Sequence, residues 1–127
     1  MSTGVKTHRI TDPNDDTRFV DVDPYLVEGV PRALVNVDQT ASGHPARNSV
    51  NVSSTTDVDA GQTRANYTNN IASSDVFYTV CDAQRGNSGL DPANLNTNSV
   101  RFINWGTDGN NAIDEEIVIL TTIGQLS

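Results

Sequence analysis

The amino-acid sequence predicts an all-β fold: a single-domain β-sandwich or β-barrel, jelly-roll-like, with long polar loops or arms. Three observations point there. No segment sustains a helical period; the apolar residues come in short alternating or continuous runs with β-branched content. Thirteen of the 16 acids are Asp and three are Glu, while seven of the eight bases are Arg and Lys6 is the single lysine. Asp and Asn favour turns and caps, whereas Glu and Lys favour helix surfaces, so this bias suits strands joined by polar loops. Finally, the loops between the runs are rich in Gly, Asn, Asp and Pro.

Taken in order, Val5 to Ile10 reads as a first strand, closed by the turn-forming Thr11-Asp12-Pro13-Asn14-Asp15-Asp16. Arg18-Phe19-Val20-Asp21-Val22-Asp23 alternates with period 2, and Pro24 marks an edge or a break before Tyr25-Leu26-Val27. Glu28-Gly29-Val30-Pro31 is a turn, and Ala33 to Val37 is a strand. Residues 38–48 read as a polar loop or arm, Val50 to Val52 as a short strand, and residues 53–74 as an extended excursion with few large apolar groups. Asp75 to Cys81 is the strongest strand. A loop from Asp82 to about Asn98 carries one helical turn at Pro92-Ala93-Asn94-Leu95. Val100 to Trp105 and Ile113 to Ile123 form a pair across the hairpin Gly106–Asn111, since Asp-Gly readily takes positive φ. Ile117-Val118-Ile119-Leu120 is expected to be buried on both faces.

A chain of 127 residues fits one domain, 1–127, with one modest core. Hydrophobic residues make up 35% and mean hydropathy is -0.42, so stability in isolation should be modest and partner subunits should supply further burial. A net charge of -8 opposes direct nucleic-acid binding, which needs clustered cations. No apolar run reaches membrane-spanning length, and Met1 to Lys6 lacks the apolar core of a signal peptide. A single cysteine excludes an intramolecular disulfide and a multi-cysteine zinc site.

Each candidate for chemistry has a simpler explanation. Arg85-Gly86-Asn87-Ser88-Gly89 echoes the segment around a chymotrypsin-like nucleophile, and His8 and His44 precede it. Leu90 stands where that segment has a second glycine, and the chain is too short for two barrels. Asp12–Asp16 and Asp108–Asn111 bring oxygen donors together, but counting from Asp108 places Ala112, Ile113 and Ile119 where the helix–loop–helix calcium pattern needs an acceptor, a glycine and a glutamate. A non-helical calcium loop, to which Asp57-Val58-Asp59 or Asp114-Glu115-Glu116 could contribute, is the alternative to solvated turns with side-chain caps. Cys81 reads as a small core residue and Trp105 as a core-edge anchor. No catalytic set, no metal site and no cofactor are expected.

Val5-Lys6-Thr7-His8-Arg9-Ile10-Thr11-Asp12-Pro13-Asn14-Asp15-Asp16-Thr17, leading into Arg18-Phe19-Val20-Asp21-Val22, resembles the start of small virion proteins of tailed bacteriophages. In these a lysine-x-histidine-arginine-isoleucine, x-aspartate-proline stretch precedes a valine-aspartate-valine strand. The resemblance implies a non-catalytic capsid cement or decoration protein, made in the host cytoplasm and carried on the capsid surface. It implies the major capsid protein or other virion proteins as partners, and a homo-oligomer, with a trimer favoured. His8, Arg9 and Arg18 lie in the matching stretch and are the candidate partner-binding residues, with internal strand pairing as the other reading of them. A head–tail connector or tail component is the nearest alternative. A carbohydrate- or calcium-binding β-sandwich module is the alternative of another class.

Overall fold

A computed structural model of the chain describes residues 8–22, 30–82, 87–107 and 109–127. It is all-β, with no helix among these residues. The expected strand at Val5–Thr7, the break at Pro24, the segment to Gly29 and Asp108 of the hairpin lie outside them. The chain falls into two compact units, residues 1–30 and 31–127, where the sequence reading set one domain over 1–127.

The first unit holds an antiparallel hairpin of β1 (His8–Asp12) and β2 (Asp15–Val22). Asp15 shapes its turn: the Oδ1 atom accepts the Thr17 backbone N–H at 3.0 Å and the Thr17 hydroxyl at 2.6 Å. These bonds hold the Asp15 carboxyl below its ordinary range.

The second unit contains two antiparallel four-stranded sheets. Sheet I has the order β4 (Ala46–Val50), β3 (Pro31–Val37), β10 (Val118–Ile123), β7 (Phe77–Asp82). Sheet II has the order β5 (Val52–Asp59), β6 (Gln62–Tyr67), β9 (Ser99–Asn104), β8 (Ser88–Leu95). Both stay open, so the unit is a sandwich and not a barrel. Strand pairs β3–β4, β5–β6 and β8–β9 remain neighbours within one sheet, whereas jelly-roll connections alternate between sheets.

One core lies between the sheets. Ala33, Val35 and Val37 of β3 and Val118 and Leu120 of β10 meet Ala65 and Tyr67 of β6 and Val100 and Phe102 of β9. Their period-2 spacing puts every second side chain on the inner face, and burying Phe102 alone stabilises the fold by about 2–3 kcal/mol. Tyr67 adds a polar tie across the gap, its hydroxyl 2.9 Å from Thr122 Oγ1. Burial pushes the Tyr67 phenol up to about 12.

Several expectations are corrected. Residues 53–74 contain most of β5 and all of β6, a strand flanked on both sides, and not an excursion; residues 46–48 of the expected first arm belong to β4. The short strand at 50–52 is instead a crossing between sheets. Asn51 takes a left-handed φ of 54° there. Its amide is clamped to residue 69, with Asn51 Nδ2 donating to Asn69 O at 2.9 Å and Asn69 N donating to Asn51 Oδ1 at 2.7 Å. The helical turn at 92–95 is a bulged end of β8, its register shifting between Leu90 and Leu95. The 106–111 connection does close locally, with Gly106 N donating to Asn111 O at 2.7 Å. Yet β9 and β10 do not pair; they belong to opposite sheets.

Candidate functional site

Sheet I presents an unusual outer face. Its register aligns Ile119 between Cys81 and Asn36, Thr121 between Thr79 and Leu34, and Ile123 beside Phe77. Val50 of the edge strand β4 lies opposite Leu34. All of these side chains point away from the core, because residues opposite one another in an antiparallel pair share a face. Phe77 is 78% exposed, Val50 54% and Ile119 39%. Asp82 is the one acid in the four strands, and it is buried. This surface is therefore free of carboxylates and mixes exposed apolar side chains with Arg32, Asn36, Asn48, Thr79 and Thr121, on a chain of net charge -8.

Sheet II is built the other way. Asn66 Nδ2 donates to Ser54 Oγ at 3.0 Å and to Thr56 Oγ1 at 3.2 Å. Arg101 Nε donates to Asp91 Oδ2 at 2.7 Å, reinforced by a second, shorter contact from Nη2. Asp91 also accepts from Asn94 Nδ2 at 2.7 Å. The guanidinium first, and then Asn94, hold the Asp91 carboxyl below its ordinary range.

A buried polar brace ties one end of the sandwich together. Gln39 Oε1 accepts the backbone N–H of Glu115 at 3.2 Å and a close contact from Asn104 Nδ2, which orients the amide so that Nε2 donates to Thr63 Oγ1 at 2.9 Å. Thr63 Oγ1 also lies within hydrogen-bond distance of His44 Nδ1, 2.9 Å away. His44 Nε2 then faces the carboxylates of Asp57 at 3.4 Å and Asp114 at 3.3 Å. Asp114 Oδ1 further accepts Gly61 N at 2.6 Å. Threonine, histidine and aspartate in sequence suggest a nucleophile relay, but Thr63 is 0% exposed and Gln39 and His44 are buried beside it. No substrate atom reaches that hydroxyl, so the network works as a cross-brace between the 38–45 loop, β5, β6, β9 and the approach to β10.

The residues singled out from the sequence are dispersed. His8 and Arg9 stand in β1 opposite Val22 and Asp21, and Arg18 is exposed on β2, so all three belong to the first unit. Ser88 pairs with Asn104 in sheet II, while His44 gives both ring nitrogens to the brace. Arg85 and Gly86 of the nucleophile-like segment lie outside the described residues. Among the described residues no group of three or more His, Cys, Asp or Glu side chains is placed to hold a metal ion. Asp114 is held by Gly61 and His44, and Glu116 by Arg47 at 3.2 Å. Cys81, expected in the core, is exposed on the outer face of sheet I, as is Phe77. Trp105, expected as a core-edge anchor, instead lies against Gly89, which pairs with Ile103 on the outer side of sheet II; a β-carbon at Gly89 would lie 3.2 Å from the Trp105 ring.

The outer face of sheet I escaped the sequence reading because it assembles residues from 34 to 50, 77 to 81 and 119 to 123. One signal was available: apolar side chains at both parities of Ile117–Leu120, which half-burial and double burial produce alike. In comparisons with known proteins, the chain matches no family model, no curated protein and no solved structure.

Proposed function

We propose that this chain is a non-catalytic structural subunit of a virion, a capsid cement or decoration protein that works by protein–protein contact. The observation that carries the reading is the outer face of sheet I. Its exposed Phe77, Val50 and Ile119, on a sheet face without carboxylates, stand outside the chain's own core and suit burial against protein. The virion assignment rests on the phage-like opening from Val5 to Val22, and the modest hydrophobic content fits a chain completed by its neighbours. The closed polar brace around His44 supports a rigid scaffold and offers no reacting group.

The test is a capsid assembly experiment with the full chain. Capsids lacking the protein, when mixed with it, should retain it through sedimentation, and their melting temperature should rise by several degrees. Capsids that neither bind it nor gain stability would remove the virion reading. Retention without a rise in melting temperature would favour a connector or tail role over cement.

A further inference from the structure

We infer that strand β7 is a pairing edge, at which two copies of this chain join their first sheets by antiparallel β7–β7 pairing centred on Thr79. This goes beyond the virion reading and does not depend on it.

The four edges of the sandwich are not alike. A sheet edge presents unpaired N–H and C=O groups, and folded chains blunt such edges with bulges, charges or proline. Three of the four edges carry these devices. Strand β4 holds Arg47, and its register with β3 shifts between Asn36 and Val37. Strand β5 shifts twice against β6 and carries Asp57 and Asp59. Strand β8 shifts between Leu90 and Leu95 and contains Asp91 and Pro92. Strand β7 has no such device from Phe77 to Cys81. Its ladder to β10 runs unbroken over six residue pairs, and its single charged residue, Asp82, closes the strand and is buried. Among the described residues no strand pairs with its other side.

The side chains select a second copy as the strand that fills this edge. A two-fold axis perpendicular to the sheet keeps every side chain on its own face, and opposite residues of an antiparallel pair share a face, so the axis must be level with a residue. Centred on Thr79, it sets Phe77 opposite Cys81 of the second copy, Tyr78 opposite Val80, and Thr79 opposite itself. Each is a favourable cross-strand combination: an aromatic ring with sulfur, an aromatic ring with a β-branched chain, and two threonines. Tyr78 and Val80 pack against the core while still partly exposed, and Phe77 is 78% exposed, so all three gain cover. Asp82 falls outside the paired stretch, so no carboxylate opposes another although each copy carries a net charge of -8. An axis at Val80 would draw Asp82 into the pairing, and one at Tyr78 would leave Val80 and Cys81 out of it. Main-chain hydrogen bonds supply the affinity in strand addition. One short strand makes that affinity weak, with Kd of roughly 10–100 μM.

Sedimentation velocity of the full chain across a concentration series should show monomer converting to dimer. Thr79→Lys sets like charges opposite one another at the axis and should weaken association about tenfold or more. Thr79 is exposed, so unfolding of that variant should stay cooperative. Asn48→Lys, on the opposite edge β4, should leave the dimer intact. Oxidative cross-linking reads the register. Thr79→Cys in a Cys81→Ser background places two sulfurs within disulfide reach at the axis and should yield a covalent dimer. In the natural chain the two copies of Cys81 stand about 13 Å apart along the strands and should stay reduced. A chain that stays monomeric or forms trimers would overturn the inference. So would a dimer indifferent to Thr79→Lys, or one that cross-links through Cys81 and not through Thr79→Cys. Failure here is separable from failure of the virion reading: a monomer that still binds capsids removes only the β7 pairing, and a dimer that ignores capsids removes only the virion assignment.

Discussion

Asn66 on the outside of sheet II is bonded to Ser54 and Thr56, and Arg101 to Asp91, so this surface meets water with its polar groups already satisfied. On the outside of sheet I, Phe77, Ile119 and Val50 meet water with no such arrangement. The two sheets share one core and have the same number of strands, so the difference does not come from folding. A sheet needs one apolar face to make a sandwich. The exposed Phe77, Ile119 and Val50 on the outer face of sheet I are surplus to that need.

The contrast predicts that neighbouring residues of β10 differ sharply. Leu120→Ala empties a fully buried site in the core and should cost about 2–5 kcal/mol in denaturant unfolding, whereas Ile119→Ala, measured on dilute protein, should cost below about 1 kcal/mol. Equal costs would mean that both faces of sheet I serve the fold of the isolated chain. The brace should come next. His44→Ala leaves buried Thr63 without its histidine partner and frees Asp57 and Asp114 from Nε2, at about 1–3 kcal/mol. Hydrogen exchange should quicken at Gly61 and Glu115, whose amides the network holds, and not across β7.

A smaller effect tests the inner tie between the sheets. Tyr67→Phe removes the bond to Thr122 and should cost about 1 kcal/mol. The folded Tyr67 pKa is raised, so its contribution is complete below the unfolded value of about 10 and is lost as pH rises toward about 12. Alkaline titration of stability should therefore be flatter in Tyr67→Phe than in the natural chain. The smallest effect belongs to the outer face of sheet II. Asp91 has a lowered pKa, so its pairing with Arg101 stabilises the fold above the ordinary carboxylate range and is lost as pH falls through the folded value. Asp91→Asn should show less change of unfolding midpoint across that acid window; an unchanged acid limb would mean that this salt bridge contributes nothing measurable.

Legibility followed the chemistry of the inner positions. Strands β3 and β9 were readable because Ala33, Val35 and Val37, and Val100 and Phe102, are apolar at period 2. Strand β6 was not, since its inner residues are Thr63, Ala65 and Tyr67: one is polar and one is small, and the tyrosine stood alone among polar neighbours. Strand β4 is exposed along its whole length and carries no alternation at all. His44 stands out in the sequence as a catalytic candidate, while its partners Thr63, Asp57 and Asp114 come from three other segments and no spacing rule joins them.

The sequence by itself determined the class of this protein. Turn-forming Asp and Asn, scarce Lys and Glu, and period-2 apolar runs admit strands and exclude helices, because these are local preferences of the backbone and of single side chains. Only the tertiary structure decided which apolar residues are core and which are surface. Phe77, Cys81 and Ile119 resemble Val35 and Leu120 in composition and spacing. Their difference lies in which side of a sheet faces a second sheet, and that is set by pairings between strands far apart in the chain.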